Sequence, residues 1–240
     1  MQTTRAVVLR TVRYDDNRVV ASLFTEDYGM ISALIRVGST RKKGGRSANV
    51  QILSFLEIEL EYRAHADFQR VGEMHIYLPW MDLPYHPVKA SIAMFLGNFL
   101  YHALRSEGSN ANLFSFLEYS FQWLDEADGG YSNFHLIFMI RVTRFLGVWP
   151  GLDGYSRRGI YDLIAAGFTE SLPSHGQYVG VGEAALIPLL LRMDYVSMNR
   201  IRLSRNERWH MLEIIVRYYQ LHVPGFGELQ NLDILREMFS

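Results

Sequence analysis

The sequence predicts a two-domain chain, β then α: a small five-stranded barrel followed by an all-α domain. Three observations carry this. Five strand-like segments fall within about the first 75 residues, with no helix long enough for a parallel crossover between them. The composition breaks near residue 79, where Pro79, Pro84 and Pro87 stand with Trp80 and Tyr85. Beyond that point apolar residues recur at helical spacing.

The strands come in close order. Residues 4–12 hold Val7, Val8, Leu9 and Val12 and end at a turn-forming Tyr14-Asp15-Asp16-Asn17. Residues 18–25 follow, then a tight connection through Gly29, then Ile31, Ala33, Ile35 and Val37 at period two. After a loop, Leu56, Ile58, Leu60 and Tyr62 alternate with Glu57, Glu59 and Glu61, the pattern of a half-buried strand. A fifth strand fits residues 68–77. Such a meander points to an OB-fold, which grips single-stranded nucleic acid with a basic groove and aromatic platforms. Tyr14, Phe24, Tyr28, Phe55, Tyr62 and Phe68 are the available aromatics.

The boundaries predicted are 1–79 and 80–240. Pro87 opens a helix bearing Ile92, Phe95, Leu96, Phe99 and Leu100; further helices are expected over 113–127 and 131–146. A loop-rich insert over about 147–182 holds at most a short helix near 160–166. Short helices are expected over 183–193 and 232–239. Between them Ser204 and Glu207 form a capping box that starts a long helix to about residue 222.

Charge is uneven. The 240 residues carry a net −1, but residues 1–78 hold eleven Lys and Arg against nine Asp and Glu, and the remainder thirteen against sixteen. Between Asp27 and Glu57 there is no acid, and residues 36–46 bring together Arg36, Arg41, Lys42, Lys43 and Arg46. A basic loop between strands suits a phosphate backbone, because Lys and Arg release counterions without reading bases; it also suits a solvated hairpin tip. A second basic cluster is Arg200, Arg202, Arg205 and Arg208, suited to DNA or to an acidic peptide.

Several chemistries are excluded or unsupported. With no cysteine there is no disulfide scaffold, thiol nucleophile or thiolate zinc site. The eight histidines are scattered, and Walker A, GxGxxG and GxSxG motifs are missing. Glu57, Glu59 and Glu61 read as a solvated strand face. No enzyme and no cofactor are expected. The N-terminus resembles no signal peptide and no apolar run approaches the ~18 residues of a membrane span, so a cytoplasmic protein is expected.

The front carries Ala6-Val7-Val8-Leu9-Arg10-Thr11 running to Tyr14, then Leu23-Phe24-Thr25, Tyr28-Gly29 and Val37-Gly38. The middle carries Arg144-Phe145-Leu146-Gly147 with Pro150. The rear carries Leu212, then Tyr218-Tyr219-Gln220-Leu221-His222, a break, and Asn231-Leu232-Asp233-Ile234-Leu235-Arg236. Taken in order, these segments resemble one family, the bacterial recombination mediator RecO. The resemblance implies a non-enzymatic mediator of DNA repair, cytoplasmic and nucleoid-associated. Such a protein binds single- and double-stranded DNA and anneals complementary strands. It engages the C-terminal tail of single-strand-binding protein, and acts with RecR and possibly RecF to help load RecA at gaps.

Carried onto this chain, the DNA contact falls on Arg36, Arg41, Lys42, Lys43 and Arg46. The partner surface falls on the helical domain, where Arg200, Arg202 and Arg205 are candidates for a basic rim around an apolar pocket. Many members bear a cysteine zinc site after the Leu-Gly-x-x-Pro element; residues 151–173 here have no cysteine, so no metal is expected. Packing among Trp149, Tyr155, Tyr161 and Phe168 is expected to hold that region instead. The alternative is a scaffold whose barrel binds protein and no DNA.

Overall fold

A computed structural model of the chain describes residues 1–36 and 50–229. It forms two compact units, Met1–Asp125 and Glu126–Glu228. The expected helix at 232–239 and most of the basic loop lie outside the described residues.

The first unit is built on five antiparallel strands, β1 (Gln2–Arg13), β2 (Arg18–Thr25), β3 (Gly29–Arg36), β4 (Phe55–Glu61) and β5 (Arg70–Leu78), ordered β3-β2-β1-β4-β5. The alternation read in β4 is observed: Leu56, Ile58 and Leu60 are buried, and Glu57, Glu59 and Glu61, each following one of them, are half-exposed. Those apolar residues join Ala6, Val8, Ala21, Leu23, Ile31, Ala33 and Ile35 in the core on one face of the sheet. The β2–β3 turn needs Gly29, at φ +68°, because a Cβ there would stand 2.4 Å from the backbone of residues 107–108.

The expected closed barrel is not formed. Between β3 and β5 there is a single parallel bridge, Ala33 with Gln69, supported by the Gln69 N–H donating to Ser32 O at 2.7 Å. The strands follow the cyclic order of an OB-fold but the seam stays open. The physical reason lies in β5: its apolar residues Val71, Met74 and Ile76 pack against the core but are only partly buried, and no side chain of the strand is fully buried.

Part of the other face is packed by α1 (Pro87–Ala103) and α2 (Ala111–Glu126). Phe24 and Phe55 point this way and pack on Phe114 at 6.3 and 6.0 Å. Arg5 of β1 binds Glu26 through Nε (2.8 Å) and Nη2 (2.6 Å), and Glu118 of α2 through Nη1 (3.0 Å). That hydrogen bond holds the Glu26 carboxyl below its ordinary pKa. The Pro-rich segment before α1 is anchored by Asp125, whose carboxylate accepts the N–H groups of Met81, Asp82 and Leu83 at 3.0, 2.9 and 2.6 Å.

The second unit contains α3 (Phe134–Phe145), α4 (Val181–Ala184), α5 (Ile187–Arg192) and α6 (Arg205–His222). The capping box at Ser204 is present: its hydroxyl accepts the Glu207 N–H at 3.3 Å and Glu207 accepts the Ser204 N–H at 2.7 Å. The unit is not all-α. A three-stranded sheet, β6 (Ile160–Asp162), β7 (Gly167–Thr169) and β8 (Tyr178–Val179), stands where a short helix over 160–166 was expected. Asp162 turns the chain there by accepting the N–H groups of Ile164 and Ala165 at 2.8 and 2.9 Å, with Ala166 at φ +55°. The aromatics expected to hold this region divide. Phe168 makes edge contacts with Tyr155 and Tyr161 at 5.1 and 5.0 Å, while Trp149 lies under the Arg144 guanidinium at 3.9 Å. The single helix expected over 183–193 is two helices, α4 and α5, with Pro188 in the first turn of the second.

Candidate nucleic-acid interface

Among the described residues, the part of the first sheet that no helix covers is the face of β1, β2 and β3 bearing Arg10, Ser22 and Ser32. Residues directly opposed across antiparallel strands share a face. The register therefore sets Arg10, Ser22 and Ser32 in one row and Val12, Val20 and Leu34 in the next, with Arg18 opposite Arg36 at the end. Intervening rows, such as Thr11, Ala21 and Ala33, turn to the core. The outer rows are half-buried or exposed, with apolar and hydroxyl groups in the middle and guanidiniums at both ends.

A β-bulge creates this arrangement. The β1–β2 register shifts between Val8 and Arg10, so Leu9 is an extra residue. Strict alternation from the buried Val8 would send Arg10 into the core. The bulge instead puts Leu9 under α1, fully buried, and leaves Arg10 exposed beside it. The Arg10 guanidinium then sits over the Tyr101 ring of α1, 4.9 Å from its centroid.

The β1–β2 connection adds an aromatic. Tyr14 is 58% exposed, and Arg18 lies over its ring at 5.0 Å while pairing with Asp15 at 2.6 Å. The Asn17 N–H, and after it Arg18, hold the Asp15 carboxyl below the ordinary range, so this acid stays ionised. Of the six aromatics singled out in the sequence, Phe24 and Phe55 are core, and Tyr28 is half-buried against Tyr62 at 4.6 Å. Tyr14, Tyr62 and Phe68 remain exposed. OB-folds bind oligonucleotides with the β2–β3 face and the connections after β1 and β4, and those connections carry Tyr14 and Phe68 here.

Arg36 ends β3 at the exposed corner of this face. Arg41, Lys42, Lys43 and Arg46 lie outside the described residues. In the second unit Arg200, Arg202 and Arg205 are all exposed, on the connection into α6. The apolar cleft of that unit, about 40 Å³, is lined by α3, α5 and α6 residues such as Ile140, Leu190 and Ile215 and by none of those arginines. Arg208 has a structural part, donating to Asn133 Oδ1 and Leu203 O, both at 3.1 Å. Sequence reasoning missed Arg10, Arg18 and Tyr101; only the register and the bulge bring them together.

Among the described residues no cluster of His, Asp and Glu could hold a metal ion. The pair His175–Asp162 (3.2 Å) has its other ring nitrogen accepting the Gln177 N–H at 3.0 Å, which leaves no nitrogen free to act as a base. The first face suits a polyanion: fixed cations at its ends, a smooth middle, and stacking surfaces on its flanks.

Comparison with known proteins gives the family. The family model described as Recombination protein O N terminal matches residues 1–78, and that described as Recombination protein O C terminal matches residues 85–229. The chain is 42% identical over 240 residues to the DNA repair protein RecO of Phocaeicola vulgatus, covering all of both chains. It is 38% identical over 241 residues to that of Bacteroides fragilis, again covering both fully. To that of Porphyromonas gingivalis it is 35% identical over 241 residues, 99% of this chain and 98% of the relative. With both family models matched in order and relatives of this similarity aligned end to end, the chain belongs to the RecO family.

Proposed function

We propose that this chain is a non-enzymatic recombination mediator in DNA repair that binds DNA through the outer face of β1–β3 and the basic loop after it. The observation that carries the reading is the Arg18–Arg36 pair. The two residues are paired in register where β3 runs into the segment that bears Arg41, Lys42, Lys43 and Arg46. With Asp15 offsetting Arg18, the corner keeps the positive charge of Arg36 next to four further basic residues, a concentration of charge that a phosphate backbone would neutralise. Neighbouring Val12, Val20 and Leu34 offer no base-specific donors or acceptors, so binding is sequence-tolerant.

Charge-based binding of this kind brings complementary strands together, which supports annealing as the activity. The names of the relatives supply DNA repair as the setting, and the resemblance adds a cytoplasmic protein acting with single-strand-binding protein, RecR and possibly RecF ahead of RecA. Arg200, Arg202 and Arg205 are the proposed contact for an acidic partner segment. The test is annealing of complementary oligonucleotides coated with single-strand-binding protein. The chain should accelerate it, and the triple variant Arg41→Gln/Lys42→Gln/Lys43→Gln should lose most of the acceleration. A chain that binds no single-stranded DNA at low salt, yet binds repair proteins, is the alternative scaffold.

A further inference from the structure

Beside Arg10 the outer face of the sheet does not end; it opens into a groove of about 260 Å³ between the β1 bulge and α1. Its walls are Leu9, Arg10, Ile52, Met94, Asn98, Tyr101 and His102. Three local features make it. The bulge at Leu9 supplies one wall. The second comes from the turn after the basic loop, where Leu53 takes a left-handed conformation at φ +62°. Leu53 is locked there by its N–H to Val8 O (2.7 Å) and by the Trp80 indole on its carbonyl (2.9 Å). That turn buries Leu53 and leaves Ile52 facing out. The third is Gly97, where a Cβ would stand 2.5 Å from Ile52, so α1 can lie close enough to form the floor.

The groove has two kinds of surface. Met94 and Ile52 are apolar side chains left 48% and 38% exposed, and with the Tyr101 ring they make a wall for a flat apolar body. Around them stand cations: Arg10 over Tyr101, and Arg105, exposed one turn beyond. Burial, together with Arg10 and Arg105, holds the His102 imidazole below its ordinary pKa, so it is a neutral hydrogen-bonding group at neutral pH. Asn98 adds an amide with both donor and acceptor.

An apolar wall beside paired cations, continuous with a row that already carries Arg10, Ser22 and Ser32, matches one unit of a single strand: a base on the wall, its phosphate at the guanidiniums. We propose that this groove seats an unpaired nucleotide of single-stranded DNA, extending the path from the β2–β3 face across Arg10 onto α1. A stacked duplex cannot place a base there without unpairing it. The groove therefore favours single strands, whereas the charged face accepts both forms. The inference rests on the DNA reading above and adds a specificity element to it.

The full chain is titrated with a fluorescent oligothymidylate and with a duplex of equal length. Met94→Glu sets a carboxylate in the groove mouth; Met81→Glu adds the same charge at an exposed site elsewhere. Met94→Glu should weaken single-strand binding about tenfold relative to Met81→Glu and leave duplex binding within about twofold. Photocrosslinks from 4-thiothymidine in the single strand should map to Tyr101 or Met94. If the wild type binds the oligonucleotide, yet Met94→Glu and Met81→Glu behave alike and crosslinks fall elsewhere, the groove is not a nucleotide seat and the charged face stands without it. If an acidic, Phe-ended peptide binds and only that binding is lost in Met94→Glu, the groove belongs to a protein partner and the proposal is overturned. If the wild type binds neither DNA, the DNA reading itself fails.

Discussion

Arg18 and Arg36 stand directly opposite each other on β2 and β3, at the corner where the chain runs into the basic loop. Asp15 offsets one of the two charges at 2.6 Å. Opposed like charges cost a sheet about 0.2–1 kcal/mol. Arg36→Thr should therefore raise the unfolding free energy by about 0.5 kcal/mol in low-salt urea titration, a gain that shrinks as salt screens the pair. The same variant should bind DNA more weakly. Opposite signs for stability and binding are the mark of a position kept for function.

Asp125 is a structural anchor. It is buried, takes three backbone N–H groups from residues 81–83, and its own carbonyl accepts the ammonium of buried Lys89 at 2.8 Å. Asp125→Ala would leave those N–H groups without their acceptor and should cost about 3 kcal/mol, measured by urea unfolding. DNA affinity per folded molecule should be unchanged.

Phe168 joins Tyr155 and Tyr161 in the loop-rich part of the second unit. Phe168→Ala removes the shared ring and should destabilise by about 3 kcal/mol. Zinc should not restore the loss, since residues 151–173 offer no cysteine ligand. A variant of wild-type stability would show that the region is held by something other than this aromatic cluster.

His135 on α3 is fully buried, and burial pushes its pKa down to about 3. The unfolded chain takes up a proton below about pH 6.5 that the folded state refuses. The stability it contributes is therefore complete above pH 6.5 and is lost as the pH falls toward 3. Between pH 6.5 and 5 the unfolding free energy should drop by about 1.6 kcal/mol on its account. The drop should be missing in His135→Leu, as read from urea midpoints at the two pH values.

Much of this fold is legible in the sequence because the governing patterns are local. Glu57, Glu59 and Glu61 alternate with apolar residues, Pro87 opens α1, and Ser204 with Glu207 starts α6; each depends only on neighbours a few positions away. The failures are places where distant contacts decide. No local pattern says that Val71, Met74 and Ile76 of β5 stay only partly buried and leave the seam to β3 open. The run Ile160–Asp162 reads equally as helix or strand until Asp162 caps the turn and Phe168 pairs across it. The candidate site was half visible. Arg36 stood out by its charge-rich context, whereas Arg10 and Tyr101, ninety-one positions apart, meet only because a bulge at Leu9 redirects one strand.

The most direct test of the DNA face is the salt dependence of binding to an oligothymidylate, compared between wild type and Arg18→Gln/Arg36→Gln. If both guanidiniums neutralise phosphates, the slope of log affinity against log salt should flatten by about 1.4, at about 0.7 for each contact on a single strand. A slope equal to that of the wild type would contradict the assignment of this face to DNA.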